Sequence, residues 1–133
     1  MKQEEKDLLL KDLCARLPYF TKVQIKNEIV VLNSICDDDG YHFNFIGDDR
    51  EGVTIEQIKP YLFPISSMTE EQKEEYDKMS ELDIEYTITQ IKNDSLIWTT
   101  GLNRFNWLLK NHFDVYDLIP MGIAIDATNL NIY

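Results

Sequence analysis

The apolar residues near the start of the chain recur with the period of a helix. They follow the i, i+3, i+4, i+7 spacing that places side chains on one helix face, and they are Leu10, Leu13, Cys14 and Leu17. Pro18 cannot continue such a helix, so the pattern predicts a helix over residues 3–17. Asp12 and Arg16 stand four residues apart, and we expect this acid–base pair on the outer face.

From residue 22 the apolar pattern changes to the period of a strand. Four runs either alternate apolar with polar residues or are almost wholly apolar, namely residues 23–25, 29–36, 41–45 and 53–55. Tight-turn residues separate the runs, and turns this short have no room for the crossover that parallel strands need. The sequence therefore predicts an antiparallel β-meander that ends at Pro60 and Pro64.

The next segment is polar and carries a signal for the start of a helix. Thr69 and Gln72 have the spacing of a capping box, which predicts an acidic surface helix over residues 69–80. Clean alternation over residues 82–89 then predicts a strand with one polar face. Residues 96–98 are the expected returning strand.

The last third of the chain predicts a helix and a strand. Thr100 is a good capping residue, and the apolar spacing after it predicts an amphipathic helix over residues 101–111. Residues 113–126 are rich in apolar side chains but broken by a proline and a glycine, which predicts a helical turn and a last strand over residues 123–126. Together the elements predict a single α+β domain over residues 1–133.

Composition and charge narrow the classes of function. The chain has 133 residues, with 24 Asp and Glu against 13 Lys and Arg and a formal net charge of -11. The acidic balance argues against direct binding of nucleic acid, which needs a basic surface. No apolar stretch is long enough for a secretory signal or a membrane span, so we expect a cytoplasmic protein without membrane contact. We expect Cys14 and Cys36 to be packed thiols rather than a disulfide.

Candidate catalytic and metal-binding residues form no recognisable motif. The acidic turns at residues 37–39 and 48–51 carry oxygen ligands for Mg²⁺ or Ca²⁺, but a strand separates them, so we expect solvated turns. His112 and Asp114 are of the types that form a base and its orienting carboxylate, but no nucleophile motif accompanies them. We therefore expect no catalytic residues, metal or cofactor. An enzyme assembled from scattered residues ranks third among the interpretations.

Much of the negative charge falls in one segment. Residues 70–85 contain eight acids and two bases. One interpretation is an acidic face that attracts a basic protein partner, and the other is a solvated helix and strand that charge keeps soluble. The candidate partner-binding residues are Glu70, Glu71, Glu74, Glu75 and, from the aromatic region that follows, Trp107.

The aromatic residues between positions 98 and 116 are too many for one helix face. Trp107 falls on the far side of its helix from Leu109, so it packs against a second core element, a partner, a ligand or another copy of the chain. A homo-oligomer is therefore one of the alternatives. The alternative function, from a different class, is to bind or sequester a nucleotide-like small ligand in a pocket formed by Tyr41, His42, Trp98 and Trp107.

Three blocks of the chain carry a family resemblance. They read KDLCARLPY at 11–19, IKPYLFPISSMTEEQKEEY at 58–76 and NHFDVYDLIPMGIAIDA at 111–127. The chain resembles a family of small uncharacterised proteins from gut Bacteroides-type bacteria and their phages and prophages. Members tend to have glycine after the Pro-Tyr pair, where this chain has Phe20. The resemblance assigns no site residues and implies a non-enzymatic accessory module of mobile-element origin that binds a protein partner or sequesters a small signal.

Overall fold

The computed structural model describes residues 1–79 and 97–133, with side chains from residue 104 onward in the second range. Within these residues the helices are α1 (Gln3–Arg16), α2 (residues 70–79) and α3 (Ile97–Lys110), and the strands are β1 (Lys22–Ile25), β2 (Glu28–Asp37), β3 (Tyr41–Phe45), β4 (Lys59–Leu62) and β5 (Ile125–Asp126). The predicted α+β class is confirmed. Among the helices in these ranges, none is both long enough and apolar enough to cross a membrane.

The described strands form one five-stranded sheet in the order β3–β2–β1–β4–β5. β1, β2 and β3 form the predicted antiparallel meander. Its first turn is the pair Lys26 and Asn27, whose φ angles of 50° and 67° match the twist of a two-residue hairpin. β4 runs antiparallel to β1, whereas β5 runs parallel to β4, so the sheet is mixed. Of the described strands, β3 and β5 lie at the two edges.

The prediction that the meander ends at Pro60 is wrong, because the meander ends with β3 and a further strand includes Pro60. Pro60 lies inside β4, and β4 pairs with β1. The neighbour of this short strand changes along its length, because its first two residues pair with β1 and its last two pair with β5. Proline removes only its own N–H from a ladder, so a strand that changes neighbours at that residue accommodates it. Pro64 follows the strand, as predicted.

The strand predicted at residues 53–55 is also wrong. Ile55–Gln57 form a short 3₁₀ helix instead. Thr54 and Gln57 make a capping box there, in which the Thr54 backbone N–H donates to Gln57 Oε1 at 2.9 Å. This local helix-start signal outweighs the brief alternation on which the strand prediction relied. The apolar side chains of the segment pack against the core instead.

The buried face of α1 is shifted by one position toward the N-terminus from the predicted one. It keeps the i, i+3, i+4, i+7 spacing, and its four side chains are 0% exposed, namely Leu9, Asp12, Leu13 and Arg16. Cys14 is exposed, and so is Cys36, so the expectation of two packed thiols is wrong. The pair that we expected on the outer face is inside the protein. Arg16 Nε and Nη2 donate to the Asp12 carboxylate at 2.6 and 2.9 Å.

α3 begins earlier than predicted. Ile97 and Trp98 are helical, so the expected returning strand at residues 96–98 is wrong where the structure describes it. Thr100 lies inside the helix rather than at its cap. The strand predicted over residues 82–89 lies outside the described residues.

The end of α3 is a Schellman motif. The His112 N–H donates to the Leu109 carbonyl at 3.0 Å, and the Phe113 N–H donates to the Leu108 carbonyl at 2.9 Å. His112 stands where such motifs usually have glycine, and its φ is 64°. The chain continues into β5, which is shorter than the strand predicted over residues 123–126.

The core joins one face of α1 to one face of the sheet. Its buried side chains come from α1, the strands, the residue before β4 and the segment between α3 and β5, and they are Leu9, Leu13, Val23, Ile25, Leu32, Phe43, Phe45, Ile58, Leu62, Leu118, Ile123 and Ala124. In β3 the buried residues alternate with exposed ones. The sheet therefore packs on one face and is open to solvent on the other at this edge.

Candidate functional site

α2 starts where the sequence predicts. The Thr69 N–H donates to Gln72 Oε1 at 2.9 Å, and the Gln72 N–H donates to Thr69 Oγ1 at 3.1 Å. This reciprocal pair is a capping box. The Lys73 N–H donates to the Thr69 carbonyl at 2.8 Å and completes the first turn. The cap thus sets the start of the helix and which side chains face outward.

An aromatic contact holds α2 against α3. The Tyr76 ring lies 5.7 Å from the Trp107 ring, centroid to centroid, and the Arg104 guanidinium lies 4.5 Å from the Tyr76 centroid. Trp107 stacks in turn on Phe113 at 5.8 Å and is 9% exposed. Contacts of these kinds each contribute about 0.5–1.5 kcal/mol. Trp107 therefore makes a second core contact and offers a partner little surface.

The outward side of α2 is acidic. Its exposed carboxylates are Glu70, Glu71, Glu74, Glu75 and Asp77. None of them forms an ion pair with a residue that the structure describes. Glu71, Glu74 and Glu75 recur at i, i+3 and i+4, so they share one helix face. We call Glu70 and these three residues the acidic α2 face. The acids at residues 81–85 lie outside the described part of the chain.

A groove of about 740 Å³ lies beside β3. Residues 41–44 form one wall and residues 50–55 form the other, so Tyr41 and His42 both line it. Trp107, on α3, is buried against Tyr76 and Phe113 instead, and the structure does not describe the side chain of Trp98. The groove thus brings together Tyr41 and His42 from the four residues expected to form a ligand pocket.

The two acidic turns lie at opposite ends of β3, since residues 37–39 precede it and residues 48–51 follow it. Arg50 Nε donates to both oxygens of Asp48 at 2.9 and 3.0 Å, and Arg50 Nη2 donates to Glu28 at 2.5 Å. The hydrogen bonds from Arg50 hold the pKa of Asp48 below its ordinary value. In residues 1–79 and 97–133, no group of three or more His, Cys, Asp or Glu side chains is placed to hold a metal ion.

His112 and Asp114 are engaged in different contacts. The two oxygens of Asp114 accept the backbone N–H of Leu118 at 2.8 Å and of Ile119 at 2.9 Å. Asp114 is 4% exposed. Its carboxylate therefore builds the turn near residues 114–118 rather than orienting the imidazole.

The His112 ring stacks on Tyr133, with centroids 3.6 Å apart and 13° between the planes. The Tyr133 hydroxyl accepts the Lys22 N–H at 2.8 Å and donates to the Tyr61 carbonyl at 3.0 Å. Burial, with the positive charges of Arg16 and Lys22, lowers the pKa of His112 to about 4. Burial raises the pKa of Tyr133 to about 12. This cluster ties the last residues of the chain to β1 and β4.

The spacing of residues in the sequence predicts neither the contact of Arg104 with Tyr76 nor the contacts of Tyr133. The Tyr76–Arg104 contact joins two helices that are distant in the sequence, so no periodic pattern signals it. For Tyr133 a signal exists, because it is the one aromatic residue in the tail ATNLNIY. The open side of β3 follows from the strand order, which adjacent turns alone do not determine.

Comparison of the chain with protein-family models, with curated proteins and with solved structures gives no match. In the part of the chain that the structure describes, the acidic α2 face and the groove beside β3 are surfaces on which a function can be proposed.

Proposed function

We propose that this protein is an interaction module that binds a basic protein partner through the acidic α2 face. The observation that carries the proposal is that Glu71, Glu74 and Glu75 share one exposed face of a helix held against the core. Carboxylates grouped in this way attract lysine and arginine side chains, speed association and reject acidic partners.

The position of the charges supports binding over solubility alone. Acids in the first turn of a helix stabilise the helix itself, because they face the positive end of its dipole. Glu74 and Glu75 lie beyond the first turn, where that effect has faded. Their charge is therefore not needed by α2. It is available to a partner.

The anchoring of α2 also supports binding. Charge that serves only solubility needs no defined position on the surface. Here the Tyr76–Trp107 contact and the Thr69–Gln72 capping box hold the carboxylates in one orientation. A preorganised surface loses less conformational entropy when a partner binds, which is how a charged face gains specificity.

Selection from random peptides displayed on phage tests the proposal. We expect the protein to enrich peptides rich in lysine and arginine. The triple variant Glu71→Gln, Glu74→Gln and Glu75→Gln should bind the recovered peptide about tenfold more weakly by isothermal titration calorimetry, since three attractive charges are lost. Affinity should also fall as salt is added, because the pairs are solvent-exposed.

A matched control removes three exposed acids outside α2. The variant Glu4→Gln, Asp7→Asn and Asp117→Asn has the same net charge as the first triple. It should bind the recovered peptide within about twofold of the unaltered protein. Failure to enrich basic peptides, or an equal loss in both triples, contradicts the proposal. Circular dichroism confirms that both variants keep their helices.

A further inference from the structure

Within residues 1–79 and 97–133, β3 is an edge strand of the sheet. It pairs with β2 on one side, and on the other side its partner within the described residues is a single bridge from Phe45 to Asp48. Backbone hydrogen-bonding groups alternate between the two sides of a strand, so those of Tyr41 and Phe43 point the same way as those of Phe45. An edge with unpaired N–H and C=O groups is a template for an added strand.

The groove lies beside this edge, since residues 41–44 of β3 line it. Its far wall, residues 50–55, includes residues 51–54, which belong to no helix or strand and so form no ladder with β3. The groove volume of about 740 Å³ falls in the range of roughly 300–1,000 Å³ that ligand sites occupy. At about 3.3 Å per residue, the edge accommodates an extended segment of roughly five residues.

The charge around the groove selects its occupant. Residues 37–55 contain six acids and one base, Arg50, which Asp48 and Glu28 neutralise. The exposed acids that remain are Asp37, Asp38, Asp39, Asp49 and Glu51. Glu51 lines the groove, and the other four stand in the turns before and after β3. Together they favour lysine and arginine and repel an anionic nucleotide.

We propose that the β3 edge groove, residues 41–44 and 50–55, binds an extended basic segment of a partner protein as an added strand. Main-chain hydrogen bonds to Tyr41 and Phe43 supply affinity, and the exposed acids select the side chains. Tyr41, which is 52% exposed, supplies an apolar contact. This site lies at the opposite edge of the sheet from β5 and does not depend on the acidic α2 face.

A peptide of alternating lysine and valine is the probe. A matched peptide carries N-methyl groups on two adjacent central residues. These groups remove one backbone N–H donor from each side of the peptide strand and leave its charge unchanged. We expect the first peptide to slow hydrogen exchange at the Tyr41 and Phe43 amides at least about tenfold. The N-methylated peptide should bind at least about tenfold more weakly, because donors to β3 are lost and the methyl groups obstruct the approach.

Two charge-matched triples separate this site from α2. Binding of the lysine–valine peptide should be weaker in the triple variant Asp38→Asn, Asp39→Asn and Glu51→Gln. It should be unchanged in the triple variant Glu71→Gln, Glu74→Gln and Glu75→Gln. Equal affinity of the N-methylated peptide, an equal effect of both triples, or protection away from β3 overturns the proposal. So does the absence of binding up to about 1 mM peptide. Competition by ATP, tested in parallel, overturns it in favour of a small ligand.

Discussion

Arg16 and Asp12 form an ion pair inside the protein, one helical turn apart on α1. Both side chains are 0% exposed, and Arg16 donates to both carboxylate oxygens at 2.6 and 2.9 Å. Arg16 Nη2 also donates to the Phe113 carbonyl at 2.6 Å, just beyond the end of α3. Burial raises the pKa of Asp12, while the hydrogen bonds from Arg16 act in the opposite direction. The pair thus joins α1 to the segment that follows α3.

Removal of the Asp12 carboxylate should make the protein much less stable. We expect Asp12→Ala to lower the free energy of unfolding by about 3–5 kcal/mol, because it leaves the Arg16 charge buried without its carboxylate. Urea denaturation followed by circular dichroism measures the change. Asp7→Ala is the control, since Asp7 is exposed on the same helix and should cost less than about 0.5 kcal/mol. A loss below about 1 kcal/mol for Asp12→Ala would contradict the structural role of the pair.

His112 should make the stability depend on pH. Its pKa falls from 6.5 to about 4 on folding, so the unfolded chain binds more protons between these values. The contribution of His112 is therefore complete above about pH 6.5 and is lost as the pH falls toward 4, with a loss of about 1–2 kcal/mol by pH 5. Urea denaturation of the unaltered protein at about pH 7 and pH 5 measures the change.

The variant His112→Asn isolates this effect from the carboxylates. Asparagine tolerates the left-handed conformation that the φ of 64° requires, and it does not titrate in this range. The stability advantage of the unaltered protein over His112→Asn should therefore shrink between about pH 7 and pH 5. An advantage that stays constant over this interval would show that His112 keeps an ordinary pKa.

The Tyr133 hydroxyl should stabilise the docked tail. We expect Tyr133→Phe to keep the stack on His112 but to lower the free energy of unfolding by about 1–2 kcal/mol, because the Lys22 N–H and the Tyr61 carbonyl lose their partner. Hydrogen exchange at the Lys22 amide should become faster. Tyr41→Phe is the control, since Tyr41 is exposed on β3. If both substitutions cost the same, the hydroxyl contacts of Tyr133 contribute nothing.

The elements that the sequence predicts well are those whose signals are local. The capping box of Thr69 and Gln72 begins α2, and the two-residue turn at Lys26 and Asn27 closes the first hairpin. Each signal lies within a few residues of the structure it creates, so no knowledge of distant contacts is needed. The placement of the acidic α2 face follows from such a signal.

The elements that the sequence misses depend on distant residues. From the sequence alone Pro60 is expected to end the meander. It lies in β4 instead, because β1 pairs with one side of this strand and β5 pairs with the other. The sequence predicts that Asp12 and Arg16 form an ion pair exposed to solvent. The pair is buried, and the Phe113 carbonyl near the end of α3 accepts a hydrogen bond from Arg16 that helps to keep it there. Local spacing contains no information about either contact.

Tyr76 should position the acidic α2 face. We expect Tyr76→Ala to lower the affinity for the basic peptide recovered by selection about fivefold, although it removes no charge, because the contact with Trp107 no longer orients the helix. Fluorescence anisotropy of the labelled peptide measures the change. Met121→Ala, at an exposed site outside α2, should leave the affinity unchanged. Unaltered affinity of Tyr76→Ala would mean that the contact between α2 and Trp107 does not contribute to binding of the peptide.

The most direct measurement is the location of the basic peptide on the protein. Addition of the selected peptide to ¹⁵N-labelled protein and mapping of the amide shifts identifies the surface it contacts. At a peptide concentration near the Kd of the unaltered protein, we predict that the largest shifts fall on residues 70–75 and are strongly reduced in the variant Glu71→Gln, Glu74→Gln and Glu75→Gln. Shifts that avoid α2, or that are equally large in this variant, would contradict the claim that the acidic α2 face binds the partner.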